Sequence, residues 1–360
     1  MNFEPDRLDD QTYLSEADAG GMLPAIASAA AHVRTGYRSA VEGGVAGVAE
    51  QLRPRAVAVA GVGTAAIAGD LLAAVCGRGT PIPLVTVRSH ALPGWVGAAD
   101  LVIAASDAEE SLAVASEAVR RGAFLLAVGK PDSPLNAIAT QGSGLFVPVP
   151  VTGQERANLW LLAVPLIMAA ASLRLVEAGA DLFENVAKSL EDVAHRCRPS
   201  SESFINPGKT LAMELAESVP MIWGSSPVAA VAAERMAAQL EMNAKYPALL
   251  GDVPGVSLFD GPFAERDIFA DTAERALRLV LLRDVDEHPR VARRREAAMR
   301  MAQDRGVPVT ELATQGEHPV ERLATLIELG DYASAYLALG YGIDPTPVSA
   351  ITELAARISQ

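Results

Sequence analysis

The residues best placed to do chemistry form a turn, Gly61-Val62-Gly63-Thr64, between an apolar run at Ala56–Ala60 and a helix-like stretch at Ala65–Val75. A strand that runs into a glycine turn and a helix N-terminus can present backbone N–H groups to an anion such as a phosphate. The dinucleotide fingerprint G-x-G-x-x-G is not completed, because Ala66 stands where the third glycine belongs. On the residues alone, a tight turn and an anion site account for these glycines equally well. Gly208-Lys209-Thr210 ends like a Walker A loop, but Ser203 holds the position of the leading glycine and Pro207 removes a donor N–H. A P-loop is excluded.

Other nucleophile and metal chemistries find no anchor. His32, His90, His195, His288 and His318 are scattered, with no pair at the spacing of a metal site. Glu109-Glu110 opens a helix, where acidic side chains favour the macrodipole. No G-x-S-x-G elbow occurs, so a hydrolase triad lacks its nucleophile. Cys76 and Cys197 give neither a disulfide framework nor zinc spacing, which fits a reducing, cytoplasmic setting.

The elements that must position the turn follow from periodicity. Short apolar runs at Ala56–Ala60, Leu84–Val87, Leu101–Ala105, Phe124–Val128 and Leu145–Val149 predict strands buried on both faces. Helical stretches at Ala65–Val75, Glu109–Arg121 and Ala157–Glu177 alternate with them. After a polar segment at about 178–210 the pattern restarts, with strands at Val219–Trp223, Leu277–Arg283 and Val307–Leu312. Helices are expected from Ser226 to about Asn243, over Glu317–Leu339, and from Thr346 to the end. Ala60-Gly61-Val62-Gly63 and Trp223-Gly224-Ser225-Ser226 read as the same strand-to-helix turn used twice. The spacing predicts an α/β protein of two tandem doubly wound parallel-sheet domains, residues 1–185 and 186–360.

Composition agrees. A chain of 360 residues that is 50% hydrophobic has ample core material, and its net charge of −14 opposes binding to nucleic acid. The longest nearly uncharged apolar run, Leu159 to Leu173, is too short to span a membrane and contains Pro165.

The C-terminal stretch Leu329-Gly330-Asp331-Tyr332-Ala333-Ser334-Ala335-Tyr336-Leu337-Ala338, followed by Gly342-Ile343-Asp344-Pro345-Thr346-Pro347-Val348, is more specific than any of these signals. It resembles the C-terminal signature of the bifunctional phosphoglucose/phosphomannose isomerase family, whose members have two sugar isomerase (SIS) domains. Residues Ala60–Asp70 are similar to that family's first-domain turn, G-M-G-G-S-A-I-G-G-D, and Val87-Arg88 with Leu92-Pro93 matches V-R-x-x-x-L-P. Gln154-Glu155-Arg156-Ala157 resembles Q-P-R-A, Asn206-Pro207-Gly208-Lys209 resembles N-P-A-K, and Gln239–Lys245 resembles Q-x-N-E-N-A-K.

The resemblance implies reversible aldose–ketose isomerisation of hexose 6-phosphates, with neither metal nor cofactor. It also implies a homodimer whose site is completed across the subunit interface. In such a site backbone amides and hydroxyls hold the phosphate, which assigns ligand binding here to Gly61, Gly63, Thr64, Ser106 and Ser111. A carboxylate moves a proton between C1 and C2, and an arginine, here Arg156, polarises the developing enediolate. A histidine and a lysine assist ring opening.

This sequence departs from the family at its chemistry. The phosphate loop S-Y-S-G-N-T-x-E-T is shortened to Ser106-Asp107-Ala108-Glu109-Glu110-Ser111, with Asp107 expected where the phosphate sits. Thr64 and Ala65 replace a glycine and a serine in the turn. The catalytic glutamate falls on Met242, the histidine on Leu258 and the lysine on Ala355. Loss of the carboxylate alone costs a factor of about 10²–10⁴.

Two readings follow. In the first, the chain is a catalytically degenerate, cytoplasmic member that binds a sugar phosphate or related sugar, as a sensor or as partner of an enzyme of mannose-phosphate metabolism. In the second it is an active isomerase with Glu241 as base, Arg156 as electrophile and His318 assisting ring opening. A third, lesser reading places an effector at Gly224-Ser225-Ser226.

Overall fold

The computed structural model describes residues 2–151, 153–261 and 276–358. Two compact units divide it: one is Ser28–Glu191, and the other joins the residues up to Ala27 with those from Asp192 onward. The expected division at 185/186 differs from this one chiefly in where it puts residues 1–27. Those residues are fastened to the second unit by polar contacts. Asp9 Oδ1 accepts from Ser203 N at 2.9 Å and Ser203 Oγ at 2.8 Å, and Tyr13 donates its hydroxyl to Leu339 O at 2.9 Å. The polar segment expected as a boundary holds the helix Ala180–Arg196.

In the Ser28–Glu191 unit five strands form a parallel sheet: β1 (Val57–Ala60), β2 (Leu84–Val87), β3 (Leu101–Ala104), β4 (Phe124–Gly129) and β5 (Leu145–Pro148). Their order is β2-β1-β3-β4-β5. β1 and β3 are buried at every residue and lie at the centre, whereas β2 and β5 alternate with solvent and form the edges. Continuous apolar runs are what a sheet covered on both faces requires. Parallel register pairs Val57 with Leu84 on one side of β1 and with Leu101 on the other.

Helices Thr64–Cys76, Glu109–Arg120 and Pro134–Gln141 connect these strands. The apolar helix expected over Ala157–Glu177 is shorter, Leu159–Ser172. It stops because Arg174 adopts a left-handed φ of 60°, with Leu175 N bonded to Ala170 O and Arg174 N to Ala171 O. That pair of bonds closes the last carbonyls of the helix.

The second unit carries β6 (Ser218–Gly224), β7 (Leu249–Leu250), β8 (Ala276–Arg283) and β9 (Val309–Ala313) in the order β7-β6-β8-β9, all parallel. This repeats the order of the first four strands of the other sheet, so each unit is doubly wound. Leu249–Leu250 is too short and too exposed to have been read as a strand. Helices Pro227–Ala244 and Pro319–Gly340 pack together through buried polar pairs. Arg235 grips Asp331 with Nε at 3.1 Å and Nη2 at 2.9 Å, and Asn243 Nδ2 donates to Ser334 Oγ at 2.9 Å. The helix expected from Thr346 to the end begins at Ser349, and its last two residues lie outside those described.

Candidate functional site

In an open parallel sheet, ligands bind beyond the carboxyl ends of the strands where the strand order reverses. Here the chain moves from β1 to β2 on one side and returns to β3 on the other, so the reversal lies between β1 and β3. A cavity of 360 Å³ opens at that place, within the range of small-molecule sites. Ala65 of the first helix, the loop Ala105–Ala108 after β3, Gly129 and Lys130 at the end of β4, and Val151 line it. Glu155, Asn158 and Leu162 complete the wall.

The glycine turn is forced by local sterics. A Cβ on Gly61 would lie 2.6 Å from Ala65 Cβ and 3.0 Å from Ala66 N, so the turn folds tightly onto the helix it starts. Gly63 has φ 55° and ψ −126°, a conformation that L-residues avoid. These two glycines therefore deliver Ala65 to the cavity wall. Thr64, half-buried, opens the helix. Beside this turn, Asp70 and Arg88 form an ion pair, with Arg88 Nη1 3.5 Å from Asp70 Oδ1.

The loop after β3 is arranged differently from the sequence expectation. Ser106 lines the cavity and its hydroxyl accepts Ala108 N at 3.0 Å. Asp107 was expected to place a bare carboxylate in the phosphate position. It lines the cavity, and its Oδ1 accepts Leu135 N at 3.2 Å, in the first turn of the helix Pro134–Gln141, where a helix N-terminus favours negative charge. Ser111 does not reach the cavity: it is 1% exposed in the helix Glu109–Arg120, and its hydroxyl meets no partner among the described residues.

Arg156 sits, half-buried, on the 3₁₀ turn Glu155–Ala157, between two residues that line the cavity. Asn158 is 1% exposed and donates its amide to Gln154 O at 3.2 Å. His32 approaches from the helix Ala29–Glu42 and donates Nδ1–H to Ala157 O at 3.2 Å. Burial lowers its imidazole pKa from the ordinary value, and the bond to Ala157 O opposes that shift. His32 thus anchors the turn that carries Arg156.

Glu241 belongs to the other unit, exposed on the helix Pro227–Ala244, and the cavity does not include it. Several other candidates there have structural duties. His318 caps the helix Pro319–Gly340, its Nδ1 accepting Val320 N at 3.2 Å. Ser226 Oγ donates to Asp284 Oδ2 at 2.6 Å and accepts Ala229 N at 3.1 Å, while Ser225 Oγ accepts Asp284 N at 2.8 Å. These bonds tie the turn to Asp284. Lys209 Nζ is buried against Pro199 O at 2.9 Å and Ser201 O at 2.7 Å, the role of a strut and not of a phosphate ligand. Among the described residues no group of three or more His, Cys, Asp or Glu could hold a metal ion.

Lys130, Glu155 and Asn158 were not singled out from the sequence. Lys130 carried one legible signal: it directly follows the buried strand β4, next to β3 in the sheet. Glu155 lay inside the stretch that resembles Q-P-R-A but was passed over for its neighbour Arg156, and Asn158 carried no signal.

Comparison with known proteins agrees with this geometry. The profile of the bacterial phospho-glucose isomerase C-terminal SIS domain matches residues 204–358. The bifunctional phosphoglucose/phosphomannose isomerase of Caldicellulosiruptor bescii is 30% identical over 84% of this chain and 89% of its own length. The protein of the same description from Aquifex aeolicus is 26% identical over 77% of this chain and 82% of its own. Among solved structures, the C-terminal domain of glucosamine-fructose-6-phosphate aminotransferase from Francisella tularensis superposes with a TM-score of 0.66 at 12% identity, covering 91% of this chain and 98% of that one. Tagatose-6-phosphate ketose/aldose isomerase from Escherichia coli gives 0.64 at 15% identity, over 94% and 96%. At such identities these two likenesses speak for the fold. Sequence likeness along most of its length establishes that the chain belongs to the bifunctional phosphoglucose/phosphomannose isomerase family.

Proposed function

We propose that this chain binds a hexose phosphate, or a closely related sugar, in the cavity of the Ser28–Glu191 unit and turns it over poorly. It then serves hexose- or mannose-phosphate metabolism as a ligand sensor or as partner of a neighbouring enzyme. The observation that carries this reading is the cavity itself, at the strand reversal between the turn after β1 and the loop after β3. Weak turnover is supported by Met242, Leu258 and Ala355, which stand where the family has its carboxylate, histidine and lysine. A homodimer rests on the family resemblance, and a cytoplasmic location on the two cysteines, which give no disulfide framework. No helix among the described residues is long and apolar enough to cross a membrane.

A second reading, an active aldose–ketose isomerase using Arg156 and Glu241, draws support from the position of Arg156 between two cavity-lining residues. An unchanged reaction rate in Glu241→Gln would remove it.

A thermal-shift series with glucose 6-phosphate, mannose 6-phosphate and fructose 6-phosphate tests the proposal, with an isomerase assay alongside. A ligand at about 100 times its Kd stabilises the folded state by about 2.7 kcal/mol, enough for a clear rise in midpoint without turnover. No rise with any of the three would refute binding.

A further inference from the structure

Two side chains that the family motifs do not supply set the charge of the cavity. Lys130 follows Gly129 at the carboxyl end of β4, and Glu155 stands where the family pattern Q-P-R-A has proline. Lys130 Nζ lies 3.4 Å from Glu155 Oε1, and both side chains line the cavity. They are 49% and 78% exposed, so water screens the pair and little energy holds it closed.

Among the described residues that line the cavity, Lys130 is the cation, facing two carboxylates. Asp107 is committed to Leu135 N, so its charge is partly answered by the helix N-terminus. Glu155 is answered by Lys130. The hydroxyls with which the family loop holds phosphate are reduced here to Ser106, whose oxygen accepts Ala108 N and keeps its single O–H as a donor. A doubly charged phosphate entering this cavity therefore meets one mobile ammonium group and few neutral donors.

We propose that Lys130 is the specificity-determining residue of this cavity: it takes the phosphate of the ligand, and Glu155 is the resting counter-ion that the phosphate displaces. The proposal rests on the reading that the cavity holds a sugar phosphate. Recognition then passes from a cradle of hydroxyls to one ammonium with a built-in competitor. A phosphate must outcompete Glu155, whereas an unphosphorylated sugar has nothing with which to do so.

Isothermal titration of the full chain with fructose 6-phosphate, and separately with inorganic phosphate, tests this on the wild type and on Lys130→Gln, Lys130→Arg and Glu155→Gln. Removing one charge-assisted hydrogen bond weakens binding by about 10- to 100-fold, the loss expected for Lys130→Gln with both probes. Lys130→Arg keeps most of the affinity, and Glu155→Gln tightens binding by removing the competitor. Both positions are exposed, so unchanged melting midpoints will exclude a folding defect. Wild-type binding that Lys130→Gln leaves intact overturns the role of Lys130 alone. Glu155→Gln weakening both probes overturns the role of Glu155 as competitor. A wild type that binds neither probe overturns the site reading and this proposal with it.

Discussion

Asp107 Oδ1 accepts the backbone N–H of Leu135 at 3.2 Å, joining the loop after β3 to the helix that follows β4. The carboxylate lines the cavity and is also a second cap for that helix, beside Ser133, whose Oγ accepts Asn136 N at 3.3 Å. Asp107→Ala is expected to lower stability by about 0.5–2 kcal/mol, the usual cost of losing a helix cap. Asp107→Asn keeps an acceptor and should fold nearly as well, while removing a negative charge from the cavity wall. Urea denaturation checks the first effect, and a higher affinity for fructose 6-phosphate in Asp107→Asn checks the second.

The glycine turn makes a sharper prediction about shape. Gly61→Ala puts a methyl 2.6 Å from Ala65 Cβ, and Ala65 lines the cavity. The helix Thr64–Cys76 must shift to admit it. Gly63→Ala meets no neighbour within 4 Å but must hold φ at 55°. Its cost is backbone strain of about 1–3 kcal/mol. Both variants should melt lower than wild type, and Gly61→Ala should lose more ligand affinity because it deforms the wall. Thermal melts with and without fructose 6-phosphate separate the two.

Glu328 gives the stability a pH dependence with a definite sign. The side chain is 2% exposed on the helix Pro319–Gly340. Burial pushes its carboxyl pKa well above 4.5; the Asp331 charge adds to this and Arg235 opposes it. A raised folded-state pKa means stability that is fully present below the unfolded value and lost as pH rises toward the folded one. Glu328→Gln, which mimics the protonated acid, should leave the melting temperature near pH 4 unchanged and raise it at pH 7–8. A variant that melts lower than wild type at pH 8 would show that the ionised carboxylate is favourably held.

The Arg235–Asp331 pair, 2% and 8% exposed, should behave as a buried ion pair. Asp331→Ala removes the bidentate carboxylate from a buried guanidinium and is expected to cost about 3–5 kcal/mol. Replacing both residues with well-packed apolar side chains should cost far less, because the desolvation cost of the pair is removed with it. A double-mutant cycle by chemical denaturation measures the difference.

Sheet and helix positions were largely legible because buried parallel strands are continuous apolar runs: Val57–Ala60, Leu101–Ala104 and Phe124–Gly129 each appear as such. The glycine turn was legible for the same local reason. What escaped the sequence depends on residues far apart in the chain. Asp107 meets Leu135 across 28 positions, and Asp9 meets Ser203 across 194, so neither the capping role nor the placement of residues 1–27 has a periodic signature. Ser111 was assigned to ligand binding as a hydroxyl of the phosphate loop, but whether a hydroxyl on a helix faces the ligand or the core is decided by helix rotation. The charged pair in the cavity was hidden because Lys130 and Glu155 come from separate loops.

The central claim is binding of a hexose phosphate without efficient isomerisation. It is tested most directly by titrating fructose 6-phosphate into the wild-type chain by calorimetry and measuring conversion to glucose 6-phosphate and mannose 6-phosphate at the saturating concentration so found. Saturable binding with conversion far below the rates of about 1–10³ s⁻¹ typical of enzymes is the predicted result. Conversion within that range, or no binding at any concentration, would contradict it.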